Sequence, residues 1–311
     1  MSRQPNLFLI GAPKCGTTAL YAYLRTHPHI FLPEVIKEPH YYSDDVRGPD
    51  SIDCKTRYLS LFSNASDEHR WIGEASTGYL RSCSAVLRIL RDDPDSRFIV
   101  MLRNPIDMVQ SWHSQMIYMC LQDKFSFSEA WKERMRVAGN GHNGIFGKDE
   151  RLQYHWICST GTQCEQFLSL VRRKNVHFIL FDDFAADPAS TYRSTLKFLE
   201  LSDDGRSDFP RINAERVHRF PKLTQFLMSP PEPLRTFKQV VKLRFGLWNL
   251  GLGNSIYERL SVKRKRPALS LSLHRELINC FSDEIQKISD ILARDLTHWI
   301  SQDTVEAYQI Q

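Results

Sequence analysis

Residues 11–18 read GAPKCGTT, with glycines at the G-x-x-x-x-G spacing of a phosphate-binding loop and a hydroxyl residue at its end. A strand–loop–helix of this kind turns backbone N–H groups and a helix N-terminus toward an anion, and Thr17 and Thr18 add hydroxyl donors. An ordinary tight turn capped by the same threonines is the plainer alternative. The loop departs from the nucleotide triphosphatase pattern, which closes on Gly-Lys-Ser/Thr. Here the end is Gly16-Thr17-Thr18, and the lysine, Lys14, lies inside the loop. A polyphosphate needs a lysine on its outer phosphates and a metal on the last hydroxyl. A single phosphate joined to a sulfuryl group has another need: its bridging oxygen must be stabilised as charge develops, which a lysine inside the loop can do without a metal. Consistent with this, the strand that ends at Arg103-Asn104 brings no carboxylate; Asp182-Asp183, after a later strand, remain the alternative metal ligands.

The elements that must hold this loop are legible as apolar runs. Residues 6–11 (NLFLIG), 70–76, 96–105 and 175–184 predict buried strands. Apolar positions at helical spacing predict helices over 18–28, 85–91, 105–119, 163–173, 188–199 and 272–299. Strands alternating with helices predict an α/β, P-loop-like three-layer fold, with a central, mostly parallel sheet flanked by helices. Ligands of such sheets lie at the carboxyl ends of the strands, where Gly11–Thr18, Glu74–Ser76 and Arg103–Asn104 all fall. One domain over 1–311 is expected, its main sheet over about 6–227 and a C-terminal loop and helices over about 228–300. The glycine-rich stretch 139–150 reads as a mobile loop, and the proline-rich 228–235 as the end of the main sheet.

Composition narrows the classes. With 311 residues and a net charge of +5, the chain suits an anionic ligand but lacks a nucleic-acid signature. No apolar run has the length of a membrane helix, and the short run near the N-terminus reads as the first strand, so a cytoplasmic location is expected. Seven dispersed cysteines predict reduced thiols.

The blocks PKCGTTALYAYLRTHPHI, KEPHYY, GEASTGYL, LRNPIDMVQSWHSQ, FILFDDFAADPASTYRSTLKFLEL, RIN and KRKRP, in this order, resemble the sulfotransferases that use 3′-phosphoadenosine 5′-phosphosulfate (PAPS), closest to the heparan-sulfate and bacterial carbohydrate type. The resemblance spans about residues 6 to 300. It implies PAPS as sulfuryl donor, 3′,5′-adenosine bisphosphate (PAP) as product, no metal, and a glycan or small-molecule hydroxyl as acceptor. It implies that the loop Pro13, Lys14, Cys15, Gly16, Thr17 and Thr18 holds the 5′-phosphosulfate, and that Arg103 and Ser111 bind the 3′-phosphate. The basic run Lys263, Arg264, Lys265 and Arg266 is similar to a loop that closes over the nucleotide, although the glycine usual after its lysine is absent. A solvated basic loop, or a peripheral membrane contact, is the other reading of that run. Glu38, in KEPHYY, takes the position of the family's proposed general base, a role suited to a cleft carboxylate with a raised pKa. His40 is a second candidate; a salt bridge between Glu38 and Lys37 is the structural alternative.

Two positions depart from the glycosaminoglycan relatives. Ala75 stands where several have lysine after the glutamate, so a positive charge near the sulfuryl group is missing or comes from elsewhere. Gln115 stands where N-sulfating relatives have histidine, with His113 two residues earlier. Competing functions are a metal-dependent P-loop kinase with a shifted lysine, and a PAPS- or PAP-binding module without turnover. Tyr41, Tyr42, Tyr79 and Trp112 suit stacking on an acceptor, but core packing is the better expectation for each.

Overall fold

The computed structural model describes residues 4–48, 50–119, 121–139, 150–212, 216–218, 261–263 and 268–300. They form two compact units: Met1–Val109 with His155–Ile212 and Leu269–Gln311, and Gln110–Tyr154 with Asn213–Ala268.

The first unit is built on five parallel strands, in the order β2-β3-β1-β4-β5. These are β1 (Leu7–Gly11), β2 (Ile30–Phe31), β3 (Trp71–Glu74), β4 (Arg97–Leu102) and β5 (Val176–Leu180). Every residue of β1 and β3 is buried, as are the last five of β4, which is why their sequences read as unbroken apolar runs: helices cover both faces of a parallel sheet. The helices of this unit are α1 (Thr17–Leu24), α2 (Lys55–Ser60), α3 (Cys83–Asp92), the start of α4 (Pro105–Tyr118), then α6 (Tyr154–Cys158), α7 (Thr160–Leu168), α8 (Phe181–Ala186), α9 (Pro188–Phe198) and α10 (Leu271–Leu292). The parallel α/β architecture expected from the sequence is the one observed.

Three boundaries differ from expectation, each for a local reason. The strand expected over 175–184 stops at Leu180, because Asp182 and Asp183 enter the first turn of α8, where the helix dipole favours negative charge. The helix expected over 272–299 ends at Leu292. Ala293 takes a left-handed conformation (φ 49°), and the N–H groups of Ala293 and Arg294 fold back onto the carbonyls of Asp290 and Ser289. The helix expected over 163–173 lies earlier, as α7, and docks on α10 so closely that a Cβ at Gly161 would stand 2.4 Å from the Glu284 carbonyl. There the buried Glu284 carboxylate accepts from the Thr162 amide (2.8 Å) and hydroxyl (2.6 Å). Beside it Leu277, Phe281, Ile285 and Ile288 of the anticipated apolar stripe are buried.

The second unit holds the rest of α4, α5 (Phe127–Gly139) and an antiparallel pair, β6 (Arg216–His218) with β7 (Ser261–Lys263). Its core includes the fully buried Trp131, and His113, whose Nδ1 is 3.0 Å from the Tyr154 hydroxyl. Most of the stretch 139–150, the segment 228–235 and the basic residues Arg264, Lys265 and Arg266 lie outside the described residues.

Candidate active site

The loop after β1 is set by two left-handed residues, Lys14 (φ 66°) and Gly16 (φ 90°). Gly16 is required at its position: an added Cβ would meet Phe181 and Phe184 of α8 at 3.2 Å, and a side chain rarely adopts that φ. Gly16 precedes α1, and its carbonyl accepts from the Ala19 and Leu20 amides. No side chain caps this helix, and no acidic residue lies in its first turn. Its first N–H groups therefore face the loop with no carboxylate competing for them, the condition for holding an anion. The Ala12 amide donates to the Met101 carbonyl, which ties the loop to the end of β4.

Arg103 follows β4. Its guanidinium stacks over the Phe181 ring at 4.6 Å and stands 3.5 Å from Asp107. Its Nε is buried without a hydrogen-bond partner among the described residues. Arg103 and Lys14 both act on Cys15, pulling down a thiol that burial pushes up to about 12. Two cations thus converge on the loop, and the one at β4 has a buried donor to spare, a fit to a phosphate group. Cys15 itself is a buried, protonated filler of the loop; its thiol lies 3.5 Å from the Pro13 carbonyl.

Facing α1 is the segment carrying KEPH. The Ala75 amide, just after β3, donates to the Lys37 carbonyl (2.9 Å), and the His40 amide donates to the Ser76 hydroxyl (2.9 Å). The Ser76 hydroxyl in turn donates to the Glu74 carboxylate (2.5 Å), which also accepts from the Ser76 amide and from the Tyr58 and Tyr79 hydroxyls. Full burial raises the Glu74 pKa and leaves those four donors to hold the group. This buried hub fixes the backbone of His40, which is itself left-handed (φ 47°).

Glu38 then presents its carboxylate to three groups. The Lys37 ammonium donates to Oε1 (2.8 Å), the Thr77 hydroxyl donates to Oε2 (3.0 Å), and His40 Nε2 lies 3.6 Å from Oε2. The same Lys37 ammonium donates to the Thr17 hydroxyl at 3.3 Å, linking this segment to the first residue of α1. The sequence suggested a raised pKa for Glu38; the structure reverses the direction. Burial does act to raise it, but Lys37, followed by hydrogen bonding from His40, overcomes burial and holds the carboxyl at about 2. His40 is buried, and its Nδ1 has no hydrogen-bond partner among the described residues.

A family model described as a sulfotransferase domain matches residues 4–226. The chain belongs to the sulfotransferase family. The loop after β1, the KEPH segment, Glu74–Thr77, Arg103 and Ser111 all fall inside the matched domain, whereas Lys263 lies beyond it. The fold is shared with a sulfotransferase from Alicyclobacillus acidocaldarius, with a TM-score of 0.67, 23% identity, and coverage of 96% of this chain and 100% of that one. In sequence the chain is similar to the bifunctional heparan sulfate N-deacetylase/N-sulfotransferase 1 of Caenorhabditis briggsae, at 24% identity over 64% of this chain and 23% of that protein. It is also similar to the carbohydrate sulfotransferase 15 of Homo sapiens, at 30% identity over 44% of this chain and 31% of that protein. It spans less than a third of the length of either relative.

In this sulfotransferase the structure brings Thr17, Lys37, Glu38, His40 and Thr77 together, and separately Lys14, Cys15 and Arg103. Ser111 is buried on α4, and Lys263 lies in β7. The alternative metal ligands are committed elsewhere: Asp182 accepts from the Trp299 indole (2.7 Å), and Asp183 is paired with Arg294. Trp112, Tyr42 and Tyr79 are core residues, as expected; Tyr41 stacks on Tyr58. Sequence reasoning missed Thr77 and the double contact of Lys37. Thr77 was visible two residues past the strand end, and Lys37 adjoins Glu38, but the reach to Thr17 exists only in the fold. Near Ala75, where the glycosaminoglycan relatives suggested a lysine, the cation beside Glu38 is Lys37.

Proposed function

We propose that this sulfotransferase moves a sulfuryl group from PAPS to a hydroxyl of a carbohydrate or glycoconjugate. The observation that carries the donor assignment is the loop after β1. An uncapped helix start without acidic residues lies beside two cations, and Arg103 keeps a buried Nε that has no partner among the described residues. In this reading Pro13–Thr18 cradle the 5′-phosphosulfate, while Arg103 takes the 3′-phosphate. The acceptor oxygen bonds to sulfur as the bond from sulfur to the 5′-phosphate oxygen breaks. The electron pair stays on that phosphate oxygen, stabilised by Lys14, and the hydroxyl proton passes to Glu38. The left-handed backbone of His40, fixed by Ser76, supports a role beside Glu38, as second proton acceptor or acceptor contact.

The glycan acceptor is supported by the relatives, which are named as heparan sulfate and carbohydrate sulfotransferases. The test has two arms. Calorimetry in EDTA should show PAP binding much tighter than ATP, and radiolabelled PAPS should label a member of a glycan panel. A strict magnesium requirement with preference for ATP defeats the donor reading. Labelling of small phenols or alcohols with no labelling of glycans defeats the acceptor reading alone.

A further inference from the structure

We propose that Lys37 is a switch cation: without donor it holds Glu38, and on donor binding its ammonium moves onto the sulfuryl oxygens and frees Glu38 to accept the acceptor's proton. The inference rests on the PAPS reading above and adds to it a residue with a defined order of events.

The geometry supplies both ends of the switch. The Lys37 ammonium lies 2.8 Å from the Glu38 carboxylate and 3.3 Å from the Thr17 hydroxyl at the uncapped start of α1. It already stands between the base and the place where the donor's anionic end would sit. An ammonium has three donors, and these two contacts leave one. Its backbone is pinned by the Ala75 amide at 2.9 Å, so the exchange needs only rotation of a flexible four-carbon stem.

The chemistry requires such an exchange. A carboxylate held near 2 is ionised but takes a hydroxyl's proton poorly, since base efficiency falls with basicity. The charged or titratable groups facing Glu38 are Lys37 and His40 from its own segment; from the segment after β3 it meets the Thr77 hydroxyl, and Glu74 stands behind Ser76. Lys37 is the strongest of the influences that lower it, while burial acts the other way. An incoming sulfuryl group competes with Glu38 for that one ammonium. Once the ammonium has moved, the Thr77 hydroxyl and His40 remain on Glu38, and the balance shifts toward burial, which strengthens it as a base. In the transfer, the acceptor oxygen–sulfur bond forms as the sulfur–phosphate oxygen bond breaks, the electron pair leaves on PAP, Glu38 takes the proton, and Lys37 keeps its charge throughout.

The decisive measurement compares two nucleotides differing only in the sulfuryl group. Titrations of PAPS and PAP are run on the wild type and on Lys37→Met, Lys37→Gln and Lys37→Arg, with melting curves to verify folding. In Lys37→Met, PAPS affinity should fall about tenfold or more, the worth of one charge-assisted contact, while PAP affinity holds. Lys37→Arg should keep part of the PAPS preference. Glu38→Gln, which releases the ammonium, should leave PAP affinity unchanged and not weaken PAPS. At saturating PAPS the acidic limb of the single-turnover pH profile should stay close to wild type in Lys37→Gln, because the ammonium has already left Glu38 in the donor complex; a clear upward move would show that the lysine stays on Glu38. Equal losses of PAPS and PAP would overturn the switch in favour of a general supporting charge. An unchanged PAPS affinity in folded Lys37→Met and Lys37→Gln would show that the lysine stays on Glu38. A wild type that binds neither nucleotide would instead defeat the donor reading, so the two failures are distinct.

Discussion

Replacing Glu38 by glutamine tests the ion-pair geometry through stability as well as through catalysis. The carboxyl lies at about 2 in the folded chain against an ordinary 4.5, a difference of roughly 3 kcal/mol at 1.36 kcal/mol per pKa unit. The side chain is 35% exposed, so solvent screening reduces the useful figure to about 1–2 kcal/mol. The sign follows from the direction: a group whose pKa is lowered by folding stabilises the fold above the unfolded value, and that contribution drains as pH falls from about 4.5 toward about 2. Urea unfolding of wild type and Glu38→Gln at pH 6, 5, 4 and 3 reads it directly. The stability difference between them should narrow by about 1 kcal/mol between pH 6 and pH 3, with almost no change between pH 6 and pH 5. In the same variant PAP affinity should hold, while the single-turnover rate with a working acceptor falls by about two to four orders of magnitude. A pH-independent stability difference would mean that Glu38 is not ion-paired in solution. A fully active variant would pass the role of base to His40, and loss of PAP binding would make Glu38 a structural residue.

Three further outcomes follow from the donor loop. Arg103→Ala should lower PAP affinity about tenfold or more while barely affecting ATP, which has no 3′-phosphate; equal losses in calorimetry would refute that assignment. Lys14→Ala should reduce both PAPS affinity and single-turnover rate, because its contact strengthens as the bridging oxygen gains charge; a loss confined to affinity would take it out of the transition state. Gly16→Ala should destabilise the fold by about 1–2 kcal/mol in urea, from the positive φ and the approach to Phe181 and Phe184; unchanged stability would show that the loop adopts another conformation.

What could be read from the sequence was what periodicity and spacing encode. The strands β1, β3 and β4 are buried on both faces, so their residues had to be apolar without interruption, and the glycines of the loop had to sit at its turns. From the alternation of such strands with helices the parallel sheet followed, and with it the placing of Gly11–Thr18, Glu74–Ser76 and Arg103–Asn104 at the strand ends. Elements with little pattern escaped: β2 has two residues and α2 six, too few to show a period. The C-terminus of α10 escaped because the apolar stripe continues past a left-handed Ala293, a backbone choice that no glycine or proline announces.

At the site, residue identity was legible and balance was not. Glu38 could be picked out as a carboxylate in the right block, and Lys37 as its neighbour, but whether burial or pairing governs its pKa depends on where the ammonium points. Burial alone would have made Glu38 a poised base. The Lys37 contact reverses the sign, and the Thr17 contact shows why that reversal need not be permanent, since the cation already reaches the helix start that an anionic donor would occupy. The departure at Ala75 fits the same account. A lysine fixed to the strand end could stay on a sulfuryl group without touching the base, whereas a lysine adjoining Glu38 must leave one partner to serve the other. On the proposed switch, the lysine adjoining Glu38 couples donor occupancy to base strength, and the comparison of PAPS with PAP in Lys37 variants measures that coupling.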